Sequence, residues 1–584
     1  MTHSIALVQA NDMVGNNIRL PLAIGILWQQ AMTSTLNSNK WKLEKIVHAK
    51  LPVDETALQL SHCDVVAFSC YVWNFEYHMQ LAEAIKKINP ACFVVVGGPQ
   101  IHTGFVDFWK AWGHCIDFAL LGEGDNSFCQ LLEQWPAQQC CDIPGAWTQD
   151  WCHGEAPRTE NLTILPSPYL NGFYDSIIQE ETSKGHYIEA VLQTNRGCPY
   201  HCTFCEEGKE YKNKMFFYDE EQVRREIEWF GVNKIEMLDI ADDNWGIADR
   251  DVELMQYICE TKLKYGYPRV LDATYAKNAP DRLWAIAKID HQLGTKLIRG
   301  ITFAYQSNNT QTLSAIKRFN LVPDKQYQLI KKLKSIGTPT YVEMIWPLPY
   351  ETYQSFCQGI DDTIDLGLDT WLQVYTLGMS PSTDLYDDFV NSYDLVASNS
   401  NQSFIPAFAT PVSNKWVNNE TMIQGQVFYT WLAVLYYFGF ARPVLEWFKS
   451  SRAQTITQTV NEFIEFAGSD QTLCEYKEKI ANHWQQSILK QPLPDISMFK
   501  NSTDFWQPYT HLASWLQHDH DNFIVSVCEF LKSQQVDKSD ISRLTEKLKH
   551  CIVKFSHSDA DMFFDFCQQY YFYKRKSGTS YILP

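Results

Sequence analysis

The chain has 584 residues, 45% of them hydrophobic and 20% charged, with a formal net charge of −19. Such a length exceeds what one hydrophobic core sustains, so two to four domains are expected, with a globular rather than a disordered composition. The acidic balance disfavours a partner gripped by its phosphate backbone, which needs clustered Lys and Arg, so nucleic acid is not expected as a partner.

Met1-Thr2-His3-Ser4 runs straight into Ile5-Ala6-Leu7-Val8 without a basic start or a small-residue cleavage site, so no secretory signal is read there. In residues 1–150, strands are predicted at Ser4–Ala10, Trp41–Ala49, Cys63–Tyr71, Phe93–Gly97 and Ile116–Leu121. Helices are predicted at Leu20–Met32, Phe75–Ile88 and Asn126–Trp135. Strands apolar on both faces and separated by helices imply a parallel sheet covered on both sides. That is a Rossmann-like, doubly wound α/β domain, with its ligand beyond the carboxyl ends of the strands.

Pro136, Pro144, Pro157, Pro166 and Pro168 interrupt residues 136–186, and 151–186 reads as a linker without regular elements. The alternation restarts over 187–394, with strands at Tyr187–Thr194, Lys234–Ile240, Arg269–Tyr275, Leu297–Ala304, Thr338–Ile345 and Thr370–Leu377. Helices fall between them, as at Asp219–Phe230 and Tyr353–Leu366. Six βα units predict a partial (βα)6 barrel, with its chemistry at the strand carboxyl ends.

Residues 395–584 read as a helical carboxyl-terminal domain, including Gln426–Gly439, Thr455–Phe466, Asp521–Lys532 and Ser542–Phe555. Trp431, Tyr436, Trp447 and Trp506 are expected in its core. Its most apolar stretch, Phe428 to Ala441, is closed by Arg442-Pro443 and falls short of the roughly 20 residues a membrane span needs. A soluble, cytoplasmic protein is expected.

Most of the 17 cysteines sit singly in apolar runs, as Cys70, Cys92, Cys259 and Cys528 do, and are read as small buried hydrophobes. Cys140, Cys141 and Cys152 are too irregular for a cluster. Cys198, Cys202 and Cys205 differ: they form a C-x3-C-x2-C loop, Arg196-Gly197-Cys198-Pro199-Tyr200-His201-Cys202-Thr203-Phe204-Cys205, after the first barrel strand. Soft thiolates select iron–sulfur or zinc, and His201 could complete a closed zinc site.

The loop resembles the defining motif of the radical S-adenosylmethionine (SAM) superfamily. That resemblance implies a [4Fe–4S] cluster on Cys198, Cys202 and Cys205, with one open iron chelating SAM. One electron from the cluster then yields a 5′-deoxyadenosyl radical. The same resemblance assigns Phe204 to packing on the adenine, Asp242 or Asp243 to the SAM amine, Gln306 and Ser307 to the ribose, and Arg318 to the SAM carboxylate. Glu343 is likewise placed at the SAM site. The segment Pro347-Leu348-Pro349-Tyr350-Glu351-Thr352 is similar to the superfamily's G-x-P-G-E-T region, with both glycines missing.

In the first domain, Ser69-Cys70-Tyr71-Val72-Trp73-Asn74, Gly97-Gly98-Pro99 and Gly122-Glu123-Gly124 follow predicted strands. Glycine there permits close approach of a ligand or a tight turn. Together these segments resemble the cobalamin-binding domain of a large radical SAM subgroup, which implies contacts from Ser69, Gly97, Gly98, Gly122, Glu123 and Gly124. No D-x-H-x-x-G motif supplies a lower cobalt ligand, and His102 is expected at the surface. Tyr71 or Trp73 could shield that face, although core packing is expected of both.

The subgroup's chemistry implies methylation of an unactivated carbon in a small-molecule or peptide substrate, with an electron donor such as flavodoxin or ferredoxin. Cobalamin-dependent rearrangement or cyclisation, and a non-catalytic cobalamin or iron–sulfur sensor, remain open alternatives. No general base is assignable: Tyr275, Lys277 and Tyr305 are candidates near the expected cavity, but a barrel-rim Lys or Tyr more often serves structure, so the catalytic residues stay unknown.

Overall fold

The computed structural model describes residues 2–13, 16–104, 107–136, 142–368, 370–380, 383–394, 396–397, 410–488 and 507–549. In the first domain the strands lie in the spatial order Trp41–Ala49, His3–Asn11, Val65–Ser69, Phe93–Gly97 and Phe118–Leu120. All are parallel, and the short strand Ala146–Trp147 is added antiparallel. Val65–Ser69 is buried along its whole length, as a strand covered by helices on both faces must be. The order steps away in both directions from the junction of His3–Asn11 and Val65–Ser69, and such a switch point opens a crevice at the strand ends.

The barrel has the six expected strands, Tyr187–Leu192, Met237–Trp245, Val270–Tyr275, Ile301–Gln306, Thr340–Trp346 and Leu372–Thr376. Neighbours pair in parallel, and a single bridge, Leu271 to Ile298, joins the first three strands to the last three. Asp219 caps the helix Glu220–Val232 through its side chain, and Thr352 with Ser355 forms a capping box on Tyr353–Asp365. Both caps satisfy amide groups that a helix start leaves open.

Two expectations need correction. Residues 1–150 are not confined to their own sheet, because Asn17–Arg19 pairs in parallel with Tyr187–Leu192 and covers the barrel's first edge. Arg19 binds Glu189 and lies 3.0 Å from Asp239, so two barrel carboxylates hold that strand in place. The segment 151–186 also contains a helix, Asp175–Ser183. The prolines that break regular structure end at Pro168 and leave the following stretch free to coil.

Beyond the barrel lie the helices Asn419–Leu432, Arg442–Arg452, Ile456–Ala467, Leu473–Ile488, Gln507–His518, His520–Ser533 and Lys538–Lys549. They pack on the last two barrel strands. The Trp346 indole N–H donates to the Met422 carbonyl at 3.1 Å, and the Tyr429 hydroxyl donates to the Leu372 carbonyl at 3.0 Å. Trp431 and Tyr436 are buried as expected, and Trp447 is partly buried. Trp506, Cys140, Cys141 and the end of the Ser542–Phe555 helix lie outside the described residues. Among the described residues no helix is long and apolar enough to cross a membrane.

Candidate active site

The cysteine loop leaves the first barrel strand and folds back over the barrel mouth. Two glycines allow it to close on itself. Gly197 has φ +106, and a Cβ there would lie 2.4 Å from the Lys214 carbonyl; at Gly208 a Cβ would lie 2.2 Å from that of Cys202. The Thr203 amide donates to the Ile316 carbonyl at 3.1 Å, and the Leu385 amide donates to the Thr203 carbonyl at 2.9 Å. The loop is thereby tied to elements beyond the fourth and sixth strands.

Cys198 and Cys202 are buried and Cys205 is half-buried. Asn244 Nδ2 donates to Cys198 Sγ at 3.1 Å, and Arg318 Nη1 lies 3.7 Å from Cys202 Sγ. Burial pushes the Cys205 thiol up to about 11 and raises that of Cys198. Backbone N–H groups of Glu207 and Tyr200, with the Lys277 ammonium, act in the opposite direction. Lys277 is close enough to interact with all three sulfurs. At Cys198 and Cys205 these donors and the cation offset only part of the burial penalty on the thiolate, the metal-binding form.

The three sulfurs do not all lie within 4.8 Å of one another. A tetrahedral zinc with Zn–S bonds of about 2.3 Å would draw its thiolates to roughly 3.8 Å apart. His201, the possible fourth zinc ligand, is exposed on an outer groove with Tyr200 and Phe319.

The residues expected to hold SAM gather at the same mouth, with differing freedom to bind. Gln306 ends its strand at φ +65, buried, with Oε1 lacking a partner among the described residues. The Tyr305 hydroxyl and the Asn244 Oδ1 are likewise buried without partners among the described residues. Buried polar atoms are normally paired, so this chamber has unused capacity for a polar ligand. Glu343 is half-buried, 3.4 Å from the Tyr375 hydroxyl, and interacts with Arg318 and Lys277. Phe204 packs on the apolar cluster of Ile316, Leu348, Leu377 and Met379.

Asp242 is fully engaged: Thr194 N and Oγ1 and Asn195 N and Nδ2 donate to its carboxylate at 2.5–3.1 Å. It anchors the turn that precedes the cysteine loop. Asp243 instead faces the large cavity, its acidity weakened to about 7 by burial and then by Glu207. The Ser307 hydroxyl donates to Glu351 and accepts from the Asn309 amide at 3.0 Å. The Pro349-Tyr350-Glu351-Thr352 segment is thus fastened to the fourth strand end.

A cavity of about 500 Å³ separates the carboxyl ends of the first sheet from the cysteine loop. Ser69, Gly97, Gly98, Gly122, Glu123 and Gly124 all line it, and Gly197, Glu206 and Asp243 line its barrel side. Gln9 and Asn11 reach it from the other side of the switch point. Gly98 is required by the fold as well, since at φ +98 a Cβ would lie 2.7 Å from the Cys70 carbonyl. The Glu123 carboxylate is held by Arg158 at 3.2 Å and Arg196 at 3.3 Å.

Three expectations for this region are overturned. His102 is buried and lines the cavity rather than the surface. Tyr71 and Trp73 are stacked 4.5 Å apart, and neither is in the core: both line the cavity, with Trp73 47% exposed.

Residues 48–132 match the B12 binding domain family. The chain is 34% identical over 376 residues to the cobalamin-dependent radical SAM methyltransferase TokK of Streptomyces tokunonensis, covering 63% of this chain and 54% of that one. Over that span it is similar to a protein named as a cobalamin-dependent radical SAM methyltransferase. Over 375 residues it is 31% identical to the 2-(S-pantetheinyl)-carbapenam-3-carboxylate methyltransferase of Streptantibioticus cattleyicolor, with the same coverage. The chain spans about half the length of the curated relatives it matches. The fold is similar to that of the cobalamin-dependent SAM radical enzyme OxsB, solved with aqua-cobalamin and SAM bound. The TM-score is 0.57 at 12% identity, covering 99% of this chain and 84% of that one.

The sequence did not single out Asn244, although it directly follows Asp242 and Asp243, and it offered Lys277 only as one of the polar residues near the expected cavity. Both interact with the loop's thiols through contacts that only the barrel's closure creates.

Proposed function

We propose that this chain is a cobalamin-dependent radical SAM methyltransferase that transfers a methyl group to an unactivated carbon of a small-molecule substrate. The observation that carries this reading is the shared cavity. Its walls are Ser69, Gly97 and Gly98 on one side and Gly197, Glu206 and Asp243 on the other, which supports a reading in which the two cofactors would lie on either side of one space. When bound, the cluster with SAM supplies hydrogen abstraction and cobalamin supplies methyl transfer, and these are steps that side chains cannot perform.

The protein's own part is to hold and enclose. Cys198, Cys202 and Cys205 would ligate the cluster. Arg318 is suited to the SAM carboxylate, Asp243 to its amine, Gln306 to its ribose, and Phe204, on its apolar cluster, to the adenine. Glu343 restrains Arg318 and Lys277 from the opposite wall. Stacked Tyr71 and Trp73 supply a flat apolar surface on the cobalamin side, consistent with a face that lacks a protein ligand. An electron donor such as flavodoxin or ferredoxin would reduce the cluster.

Anaerobic reconstitution with iron, sulfide and cobalamin, followed by reduction and addition of SAM with candidate substrates, tests the proposal. Release of both 5′-deoxyadenosine and S-adenosylhomocysteine is expected. Deoxyadenosine alone would favour a rearrangement, and protein that takes up no iron would end the proposal.

A further inference from the structure

The turn Gly113-His114-Cys115 joins the helix Phe108–Trp112 to the strand Phe118–Leu120, and Glu83 reaches it from the helix Phe75–Ile88. All three side chains belong to the stretch that matches the B12 binding domain. His114 Nε2 lies 3.0 Å from Glu83 Oε1. One ligand atom from each of Glu83, His114 and Cys115 lies within 4.8 Å of the other two, and no other group of His, Cys, Asp or Glu does this among the described residues. None of the three lines the cavity between the first sheet and the cysteine loop.

A thiolate, an imidazole and a carboxylate are the donors that suit zinc, at bonds of about 2.3, 2.0–2.1 and 2.0–2.2 Å. Tetrahedral angles at those lengths set the donors about 3.4–3.6 Å apart. Closing from 4.8 Å therefore asks for about 1 Å of movement. Two of the side chains can supply it, since His114 is 59% and Glu83 32% exposed. Cys115 is fully buried, so a metal here would have its sulfur on the protein side and its remaining position toward water.

The surroundings leave these donors available. Lys86, one turn on from Glu83, is committed to Asp117 at 2.7 Å. The Cys115 thiol makes a weak contact of 3.4 Å to the Trp112 carbonyl, which already accepts the Cys115 and Ile116 amides at 2.9 Å. Giving up that S–H to a metal strands no acceptor. We propose that Glu83, His114 and Cys115 hold a zinc ion, with water as its fourth ligand, at a site apart from both cofactors. Binding releases the thiol proton to solvent, and the ion ties the helix Phe75–Ile88 to the turn that enters the strand Phe118–Leu120. Such a site does not depend on the reaction proposed above.

Anaerobically reconstituted holoenzyme, its loop thiols taken up by iron, is mixed with equimolar zinc sulfate and dialysed against metal-free buffer. Metal content is read by inductively coupled plasma mass spectrometry and the zinc environment by K-edge X-ray absorption. Zinc is expected to stay bound with iron content unchanged, in a shell of one sulfur at about 2.3 Å and nitrogen and oxygen at about 2.0–2.2 Å. His114→Ala and Cys115→Ser should each weaken zinc binding at least tenfold. His114, on the surface, decides alone should Cys115→Ser not fold. Zinc lost on dialysis, a shell without sulfur, a shell of three sulfurs with loss of iron, or undiminished binding by His114→Ala overturns the site.

Discussion

The Arg196 guanidinium forks onto the Asp125 carboxylate, with Nη1 2.6 Å from Oδ2 and Nη2 3.3 Å from Oδ1. Arg196 immediately precedes Gly197 and Cys198, while Asp125 lies in the first turn of the helix Gly124–Gln134 beside the glycine turn of the B12 domain. Glu123 at 3.3 Å and the Tyr218 hydroxyl at 3.0 Å take further guanidinium donors. One bidentate pair thus links the start of the cysteine loop to the wall of the cavity at the first sheet's strand ends, in the geometry that makes Arg–carboxylate pairs directional.

Removing Asp125 takes the bidentate partner from a buried Arg196 and leaves it only the Glu123 carboxylate, at 3.3 Å. The cost therefore falls below the roughly 3–5 kcal/mol of stranding a buried charge and is about 1–3 kcal/mol, that of hydrogen bonds lost at a charged group. Asp125→Ala is therefore expected to lower stability in urea unfolding by about that amount. The double variant Asp125→Leu with Arg196→Met should recover much of the loss, because an apolar replacement removes both charges. A single variant as stable as the parent, or a double no better than the single, would show that the pair does not bind the domains together.

At the cysteine loop, Cys198→Ala, Cys202→Ala and Cys205→Ala should each reduce iron content after anaerobic reconstitution to background. Asn244→Leu should retain iron but remove the N–H···S hydrogen bond to Cys198. Hydrogen bonds to cluster sulfurs help set the reduction potential by stabilising the more negative, reduced state, so the midpoint should move to a lower potential. A redox titration followed by electron paramagnetic resonance reads this shift, and an unchanged midpoint would remove Asn244 from the cluster's environment.

Much of the architecture was legible because periodicity carries it. The short apolar, β-branched runs at Val65–Ser69 and Phe93–Gly97 read as strands covered on both faces, whereas the fourth barrel strand, expected at Leu297–Ala304, starts four residues later at Ile301. Asn17–Arg19 was not legible, since three residues with only Ile18 buried give no period, and its place depends on pairing with a strand 170 positions away. Trp73 and Tyr71 misled in the opposite way. Aromatic residues are usually core, and only the arrangement of the strand ends turns this pair toward a cavity. Asp242 and Asp243 are neighbours in sequence with different duties, because strand alternation sends one into Thr194 and Asn195 and the other toward the cavity.

A buried carboxyl away from the site gives a pH signature. Glu226, on the helix Glu220–Val232, has its acidity weakened to about 7 by burial, partly offset by hydrogen bonds from Ser167 and Gln222. Its unfolded value is the ordinary 4.5. The folded state therefore holds a proton that the unfolded state releases, and this favours folding fully below about pH 4.5. The contribution is lost as pH rises to about 7 and amounts to roughly 3 kcal/mol. Glu226→Gln, which does not titrate, should lack this loss. Unfolding at pH 5 and pH 8 should show the parent losing stability relative to the variant, and parallel pH profiles would contradict the assignment.

The helical domain is seated on the barrel by one close approach that tolerates no added atom. Gly425 faces the Trp346 indole, and a Cβ there would lie 2.3 Å from Nε1 and 2.5 Å from Cε2. Trp346 is fully buried, and its N–H is committed to the Met422 carbonyl one helical turn earlier. Neither ring nor helix can yield without breaking that bond or opening a gap against Phe356, whose ring centroid lies 4.7 Å from that of Trp346. Gly425→Ala would ordinarily favour a helix by removing backbone freedom, but overpacking a filled core costs about 1–3 kcal/mol and outweighs that gain. The variant is expected to unfold at a lower temperature than the parent. Adding Trp346→Phe, which clears the indole N–H, should restore part of the loss. A Gly425→Ala protein as stable as the parent would mean that the helix can stand further from the barrel than this packing allows.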